Sequence, residues 1–205
     1  MISVNVLAVR YLSSVPETMR KALGTTEACL GLITTDSDDP TYIALDQATK
    51  DAQVTVCYGR SFYAGAGNST TPYAGEVLGI LAGPTPGAVR SGMESALREL
   101  QRVGFEDISG VPCLAHTVSR CGSFLAKEAG VPEGTPLAYL IAPPLESMYA
   151  LDAALKAADV ALCKLYKPPT ETNFGGGLLT GSQSACAAAC AAFRDAVAEI
   201  AANPK

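Results

Sequence analysis

Short apolar runs, none longer than a strand, recur along this chain, and stretches with helical spacing separate them. The runs over 4–11, 29–34, 54–60 and 76–81 are rich in Val, Ile, Leu and Tyr and read as strands. Helices are predicted over 16–23, 40–52 and 86–103. The second half follows suit, with strands over 114–120, 137–142, 160–166 and 177–179 and main helices over 145–158 and 182–202. Alanine fills the last of these, which lets it lie close against a sheet or another helix. Asp39 before Pro40 predicts a helix start, with Asp39 as the cap and Pro40 in the first turn. Interleaved strands and helices give an α/β (α+β) class with a small mixed sheet in each half.

The two halves are copies. Ala44, Leu45, Asp46, Ala48, Lys50, Ala52 and Val54 recur as Ala150, Leu151, Asp152, Ala154, Lys156, Ala158 and Val160 at one offset of 106, and Cys57 and Cys163 continue it. A weaker match at offset 107 pairs Leu7 and Ala8 with Leu114 and Ala115, and 29–33 with 136–140. A third, at offset 98, pairs 79–83 with 177–181, so the first copy carries 8 extra residues between Cys57 and Gly79. Two tandem domains of one fold are expected, over 1–108 and 109–205, with the break near 106–111.

Composition adds a reason to assemble. Hydrophobic residues are 48% of the 205 and charged residues only 17%, against about 25% in an ordinary soluble domain. Two small monomeric domains would lack charge to coat their surface, so the chain is expected to bury surface against further copies of itself. A net charge of −5 with scattered basic residues argues against nucleic acid. No run approaches the roughly 20 apolar residues of a membrane-spanning helix, and the first residues lack a signal peptide's basic start and apolar core. Seven cysteines without framework spacing predict reduced, mostly buried thiols in the cytosol.

Reactive constellations are scarce. His116 is the single histidine and no serine sits in a Gly-x-Ser-x-Gly turn, so no nucleophile is matched to a base. Cys186 and Cys190, four apart on one helix, read as small packing residues, because zinc wants further ligands at fixed spacing. The glycines of 64–68 match no phosphate-loop pattern. The chain is therefore read as no enzyme, with no cofactor and no metal. Two features remain. A connection of about thirteen residues over 61–73 joins two strands, and its counterpart over 167–177 is shorter and stiffened by prolines. Asp36, Asp38 and Asp39 crowd one strand-to-helix turn, and Glu76 opens the strand after the long connection. These carboxylates either cap the helix and aid solubility, or form a small pocket for a cation such as an ammonium group.

The repeated Asp-x-Ala-x-Lys-x-Ala-x-Val segment, Asp46 to Val54 and Asp152 to Val160, resembles the helix–strand signature of bacterial microcompartment shell domains. Longer strings narrow the likeness: Gly31-Leu32-Ile33-Thr34-Thr35-Asp36-Ser37-Asp38-Asp39, Tyr58-Gly59-Arg60-Ser61, Tyr139-Leu140-Ile141-Ala142-Pro143-Pro144-Leu145-Glu146 and Glu171-Thr172-Asn173 are similar to the EutL-type shell proteins of ethanolamine-utilisation microcompartments. That resemblance implies two tandem ferredoxin-like, circularly permuted shell domains and a homotrimer that imitates a hexagon. It also implies edge-to-edge packing with other shell proteins around a compartment in the cytoplasm. A gated central pore would be lined by the connections over 61–73 and 168–176, the longer one being the moving gate. Ethanolamine, or a related small amino alcohol, would be held by Asp38, Asp39 and Glu76, with Phe105, Thr172, Asn173 and Phe174 as further contacts. Lys50 and Lys156 fall where shell domains meet at tile edges. The competing reading is a soluble small-molecule-binding or regulatory protein built on duplicated α/β domains.

Overall fold

A computed structural model describes residues 1–62, 76–168, 170 and 172–205. It divides into two compact units: residues 3–103 with 122–125, and residues 1–2 with 104–121 and 126–205.

The first unit holds β1 (Val6–Leu12), α1 (Glu17–Ala22), β2 (Cys29–Thr35), α2 (Asp38–Asp51), β3 (Thr55–Ser61), β4 (Val77–Gly83) and α3 (Pro86–Glu99). Its sheet runs β1-β2-β4-β3 and every neighbouring pair is antiparallel, where a mixed sheet was expected. The crossover through α2 delivers β3 one place beyond β2, and β4 fills the gap between them. Ile33, Leu45, Leu81, Val89 and Met93 form one buried cluster joining α2 and α3 to this sheet. Leu30, Ile80 and Ala82 form a second, with Val15 and Leu23 against them.

The second unit repeats the plan and adds a strand: β5 (Glu106–Ile108), β6 (Val111–Val118), α4 (Ser123–Ala129), β7 (Leu137–Ala142), α5 (Pro144–Ala157), β8 (Val160–Tyr166), β9 (Gly175–Gly181) and α6 (Gln183–Ala202). The first residues of α4 group with the other unit. The sheet order is β5-β6-β7-β9-β8, again antiparallel throughout. Leu140, Leu151, Leu179, Phe193 and Val197 form its core. Cys186 and Cys190 are buried there as free thiols, as are Cys113 and, elsewhere, Cys29 and Cys121.

Three local readings change. Helix α2 starts at Asp38 with Ser37 as its cap, two residues ahead of the predicted cap Asp39. Thr35 and Thr41 fix that start: the Thr35 hydroxyl accepts the Ser37 N–H at 3.2 Å, and the Thr41 hydroxyl donates to the Ser37 carbonyl at 2.7 Å. Strand β5 lies in the segment expected to hold the break. It turns back through Ser109 and Gly110, both at positive φ (54° and 88°), while the Gly110 N–H donates to the Asp107 carboxylate at 2.6 Å. Helix α4 was not predicted. The repeat is otherwise kept in detail: β3 and β8 each bulge against their partner at one residue, Cys57 and Cys163, the pair that continues the offset of 106.

Candidate functional site

The first unit gathers four carboxylates where β2 runs into α2 and where β4 begins. Asp38 and Asp39 form the first turn of α2, and both are buried. Asp38 is held from two sides: Ser61, the last residue of β3, donates its hydroxyl to Oδ2 at 2.6 Å, and the Asp39 N–H donates to Oδ1 at 2.9 Å. The Tyr42 hydroxyl meets Ser61 Oγ at 2.5 Å, so Tyr42, Ser61 and Asp38 form one hydrogen-bonded chain. Spacing alone did not reveal Ser61 and Tyr42 as supports, since Ser61 is 23 residues from the group it holds.

Glu76 is carried by backbone pairing. Its N–H donates to the Thr35 carbonyl at 2.8 Å, and its carbonyl accepts the Phe62 N–H at 2.9 Å. Burial, followed by the nearby charges of Asp38 and Asp36, pushes the Glu76 carboxyl up from 4.5 to about 7. A group poised there is half protonated near neutrality, and an incoming cation would favour its charged form. Asp36 is engaged elsewhere, its carboxylate accepting both the Asn5 N–H at 2.8 Å and the Asn5 side-chain amide at 2.6 Å. The acidic trio therefore divides into a β1–β2 fastener and a buried pair beside Glu76.

Phe105, Thr172, Asn173 and Phe174 belong to the second unit. The Phe105 and Phe174 rings sit 5.4 Å apart, centroid to centroid. The Phe105 carbonyl, expected as a backbone contact, accepts the Ile2 N–H at 2.6 Å and keeps a second lone pair. Asn173 turns the chain at φ 64°, its N–H donating to the Thr170 carbonyl at 3.2 Å, and the Thr170 N–H donates to the Phe174 carbonyl at 3.1 Å. Residues 63–75, most of the predicted gate over 61–73, lie outside the described residues, as do Pro169 and Glu171 of the shorter connection.

The two lysines expected at edges differ. Lys50 lies 3.6 Å from Asp46, whose side chain is fully buried and accepts the N–H groups of Gly122 and Leu125, both at 2.8 Å. Burial raises the Asp46 carboxyl above its usual range although these bonds and Lys50 oppose it. Lys156 pairs with Asp152 at 2.6 Å on the surface of α5. His116 lies on β6 opposite Tyr139. Thr117 donates to the Cys190 thiol at 3.4 Å, and burial raises that thiol.

Against this geometry, the family described as BMC domain matches residues 29–110. The chain is 59% identical to the bacterial microcompartment shell protein EutL of Clostridium perfringens, over 98% of this chain and 95% of that protein. It is 55% identical to the shell protein of the same name from Escherichia coli, over 85% and 82%. The crystal structure of the ethanolamine utilization protein EutL from Leptotrichia buccalis superposes with a TM-score of 0.96 at 56% identity, covering 99% of this chain and 96% of that one.

Proposed function

The chain belongs to the EutL family of bacterial microcompartment shell proteins, and on that premise we propose that it closes into a homotrimer with a gated central pore and a small ethanolamine-binding pocket. Its role is structural, as a component of the microcompartment shell, and the compartment it serves is one for ethanolamine utilisation. Residues 1–108 and 109–205 act as the two shell domains, so that three chains present six. The low charge content supports the assembly, because the surface left uncoated by charge is covered by neighbouring copies and by other shell proteins.

The observation that carries the pocket is the buried Asp38 carboxylate, pre-positioned by Ser61 and Tyr42 beside the neutral-range carboxyl of Glu76. Two carboxylates, one fixed and one adjustable, suit a monovalent ammonium: Asp38 supplies standing charge, and Glu76 ionises as the cation arrives. Asp39 borders them in the same helical turn. Phe105, Thr172, Asn173 and Phe174 are proposed as further contacts, supplying carbonyl and hydroxyl groups for the alcohol end. Ser61 and Glu76 flank the long connection, so a ligand held by Asp38 and Glu76 sits at both ends of the segment proposed to gate the pore. Such a ligand shifts the gate by its difference in affinity for the two states. Lys50 and Lys156 are proposed to face tile edges.

Titration calorimetry with ethanolamine at pH 8 tests this. Glu76→Gln is expected to weaken binding at least tenfold while light scattering still gives a mass of three chains. Unchanged affinity would remove the pocket assignment, and a single-chain mass for the unsubstituted protein would remove the trimer.

A further inference from the structure

One face of α2 reads Asp38, Tyr42 and Asp46, each one turn after the last. Both ends of that row are already engaged. Asp38 is the fixed carboxylate of the proposed pocket, and Asp46 receives residues 122–125, where α4 begins. Tyr42 stands between them. Its hydroxyl meets Ser61 Oγ, and its ring lies 5.8 Å, centroid to centroid, from that of Phe124. Both rings cover Gly59, two residues before Ser61 and on the same face of β3. A Cβ on Gly59 would lie 3.2 Å from Phe124 Cζ and 3.5 Å from Tyr42 Cε1, so a bare backbone there admits the pair. Phe124 is itself held: the Gly122 and Leu125 N–H groups donate to the Asp46 carboxylate, and the Ser123 N–H donates to the Thr49 hydroxyl at 3.1 Å.

The protons in this row run one way. Ser61 has a single hydroxyl proton and gives it to Asp38 Oδ2, so the contact between Tyr42 and Ser61 is a bond that Tyr42 donates. A hydroxyl that accepts a hydrogen bond is a better donor, and Tyr42 thereby strengthens the bond by which Ser61 fixes Asp38. The second repeat indicates that these residues act together. At the offset of 106 it keeps the anchor, Asp152 for Asp46, and replaces every member beyond it: Met148 for Tyr42, Leu165 for Gly59, Lys167 for Ser61 and Pro144 for Asp38. Where the carboxylate is missing, so are its support, the ring behind that support and the glycine beneath the ring.

We propose that Phe124 is a positioning residue of the pocket: it wedges the Tyr42 ring over Gly59, aims the Tyr42 hydroxyl at Ser61, and so presets the Asp38 carboxylate for the ligand's ammonium group. The proposal rests on the ethanolamine reading above and adds to it a side chain of α4 that sets affinity through Tyr42. Without the Phe124 ring, Tyr42 turns into the vacated space and the Ser61 hydroxyl loses its donor. The carboxylate is then ordered only as the cation arrives, and that ordering lowers affinity.

Titration calorimetry with ethanolamine at pH 8 tests this on four chains: the unsubstituted protein, Tyr42→Phe, Phe124→Leu and the two substitutions combined. Tyr42→Phe is expected to weaken binding about threefold to tenfold, as loss of one neutral hydrogen bond does, and Phe124→Leu about threefold. The double variant is expected to bind no more weakly than Tyr42→Phe alone, because no hydroxyl is left for Phe124 to aim. Losses that multiply, as loosened packing alone would give, would overturn the role of Phe124 and leave the pocket standing; so would an unchanged affinity in Phe124→Leu. Gly59→Ala moves the same two rings without touching Phe124 and serves where Phe124→Leu does not fold. It is expected to weaken binding in the unsubstituted background and to be silent in Tyr42→Phe, and equal losses in both would overturn the proposal. Absence of ethanolamine binding by the unsubstituted protein would overturn the pocket and this role with it.

Discussion

In the first repeat the carboxylate at the middle of the second helix is sealed under backbone; in the second repeat the same carboxylate stands in water. Asp46 accepts two N–H groups with no exposure, whereas Asp152 keeps a surface ion pair with Lys156. The acidic turn divides the same way. At equivalent positions, the first repeat has Asp38, Asp39 and Glu76 where the second has Pro144, Leu145 and Phe174. Duplication therefore kept the sheet, its bulges and its helices and let the two copies specialise. One copy carries an acidic turn and a buried aspartate, the other an apolar turn and an exposed one. Identical backbone plans do not imply identical work, and each of the differences can be probed by making the same change twice.

The largest contrast is expected at the two aspartates. Asp46→Ala removes the acceptor from two buried N–H groups and leaves Lys50 beside an apolar hole, which should cost the first unit about 3 kcal/mol. Asp152→Ala removes an exposed pair within one helix and should cost the second unit under about 0.5 kcal/mol. Native-state hydrogen exchange reads each unit's own opening. The amides of Gly122 and Leu125 should exchange faster by two orders of magnitude or more in the first variant and at the original rate in the second. Equal effects would mean that the buried aspartate contributes no more than the exposed one.

Much of this plan is legible in the amino-acid sequence. Strands β7 and β8 fall on the predicted residues, because Pro136 and Pro143 bracket the first and Asp159 precedes the second. Two elements escaped: β5 has three residues, too few to show a period, and α4 follows Gly122 without a capping side chain in the sequence. The cap of α2 was misread because Asp-Pro is a strong local signal, which outweighed the hydroxyls of Thr35 and Thr41, two and four residues from Ser37, that fix the actual start. At the acidic site, residue types pointed to a cation or to capping, and spacing could not choose. The partition came from contacts across the sheet: Asp36 to Asn5, 31 residues away, and Asp38 to Ser61. The sealing of Asp46 was equally hidden, since its donors lie 76 and 79 residues further on.

A smaller contrast is expected at the repeated glycines of β4 and β9. A Cβ on Gly177 would lie 2.7 Å from the Lys164 carbonyl oxygen, which is backbone of the adjacent strand and cannot swing away. A Cβ on Gly79 would meet the Leu45 methyl at 2.6 Å, the end of a side chain that can change rotamer. Gly177→Ala should therefore cost about 2–3 kcal/mol and Gly79→Ala about 1–2 kcal/mol. Urea unfolding with matched slopes measures both. Reversal of the order would show that core packing around Leu45 is stiffer than the β8–β9 ladder.

The smallest effect concerns Glu76 and its counterpart Phe174, one titrating and the other not. Folding holds the Glu76 carboxyl near pH 7 against 4.5 in the unfolded chain, so the folded state keeps its proton where the unfolded state has released it. A raised carboxyl contributes its stability in full below pH 4.5, and that contribution drains away as pH rises through 7. At about 1.4 kcal/mol per pH unit, with solvent screening at a half-buried position, the loss across this window is about 1–2 kcal/mol. Glu76→Gln removes the titration, so the difference in unfolding free energy between the variant and the unsubstituted chain should grow between pH 5 and pH 8 in the variant's favour. Phe174→Leu, at the matching place in the second repeat, should run parallel to the unsubstituted chain over the same range. If the Glu76→Gln curve ran parallel as well, burial beside Asp38 would not be what holds the proton. Saturating ethanolamine should narrow the gap above pH 7, because a bound cation offsets the cost of the ionised carboxylate that the glutamine never pays.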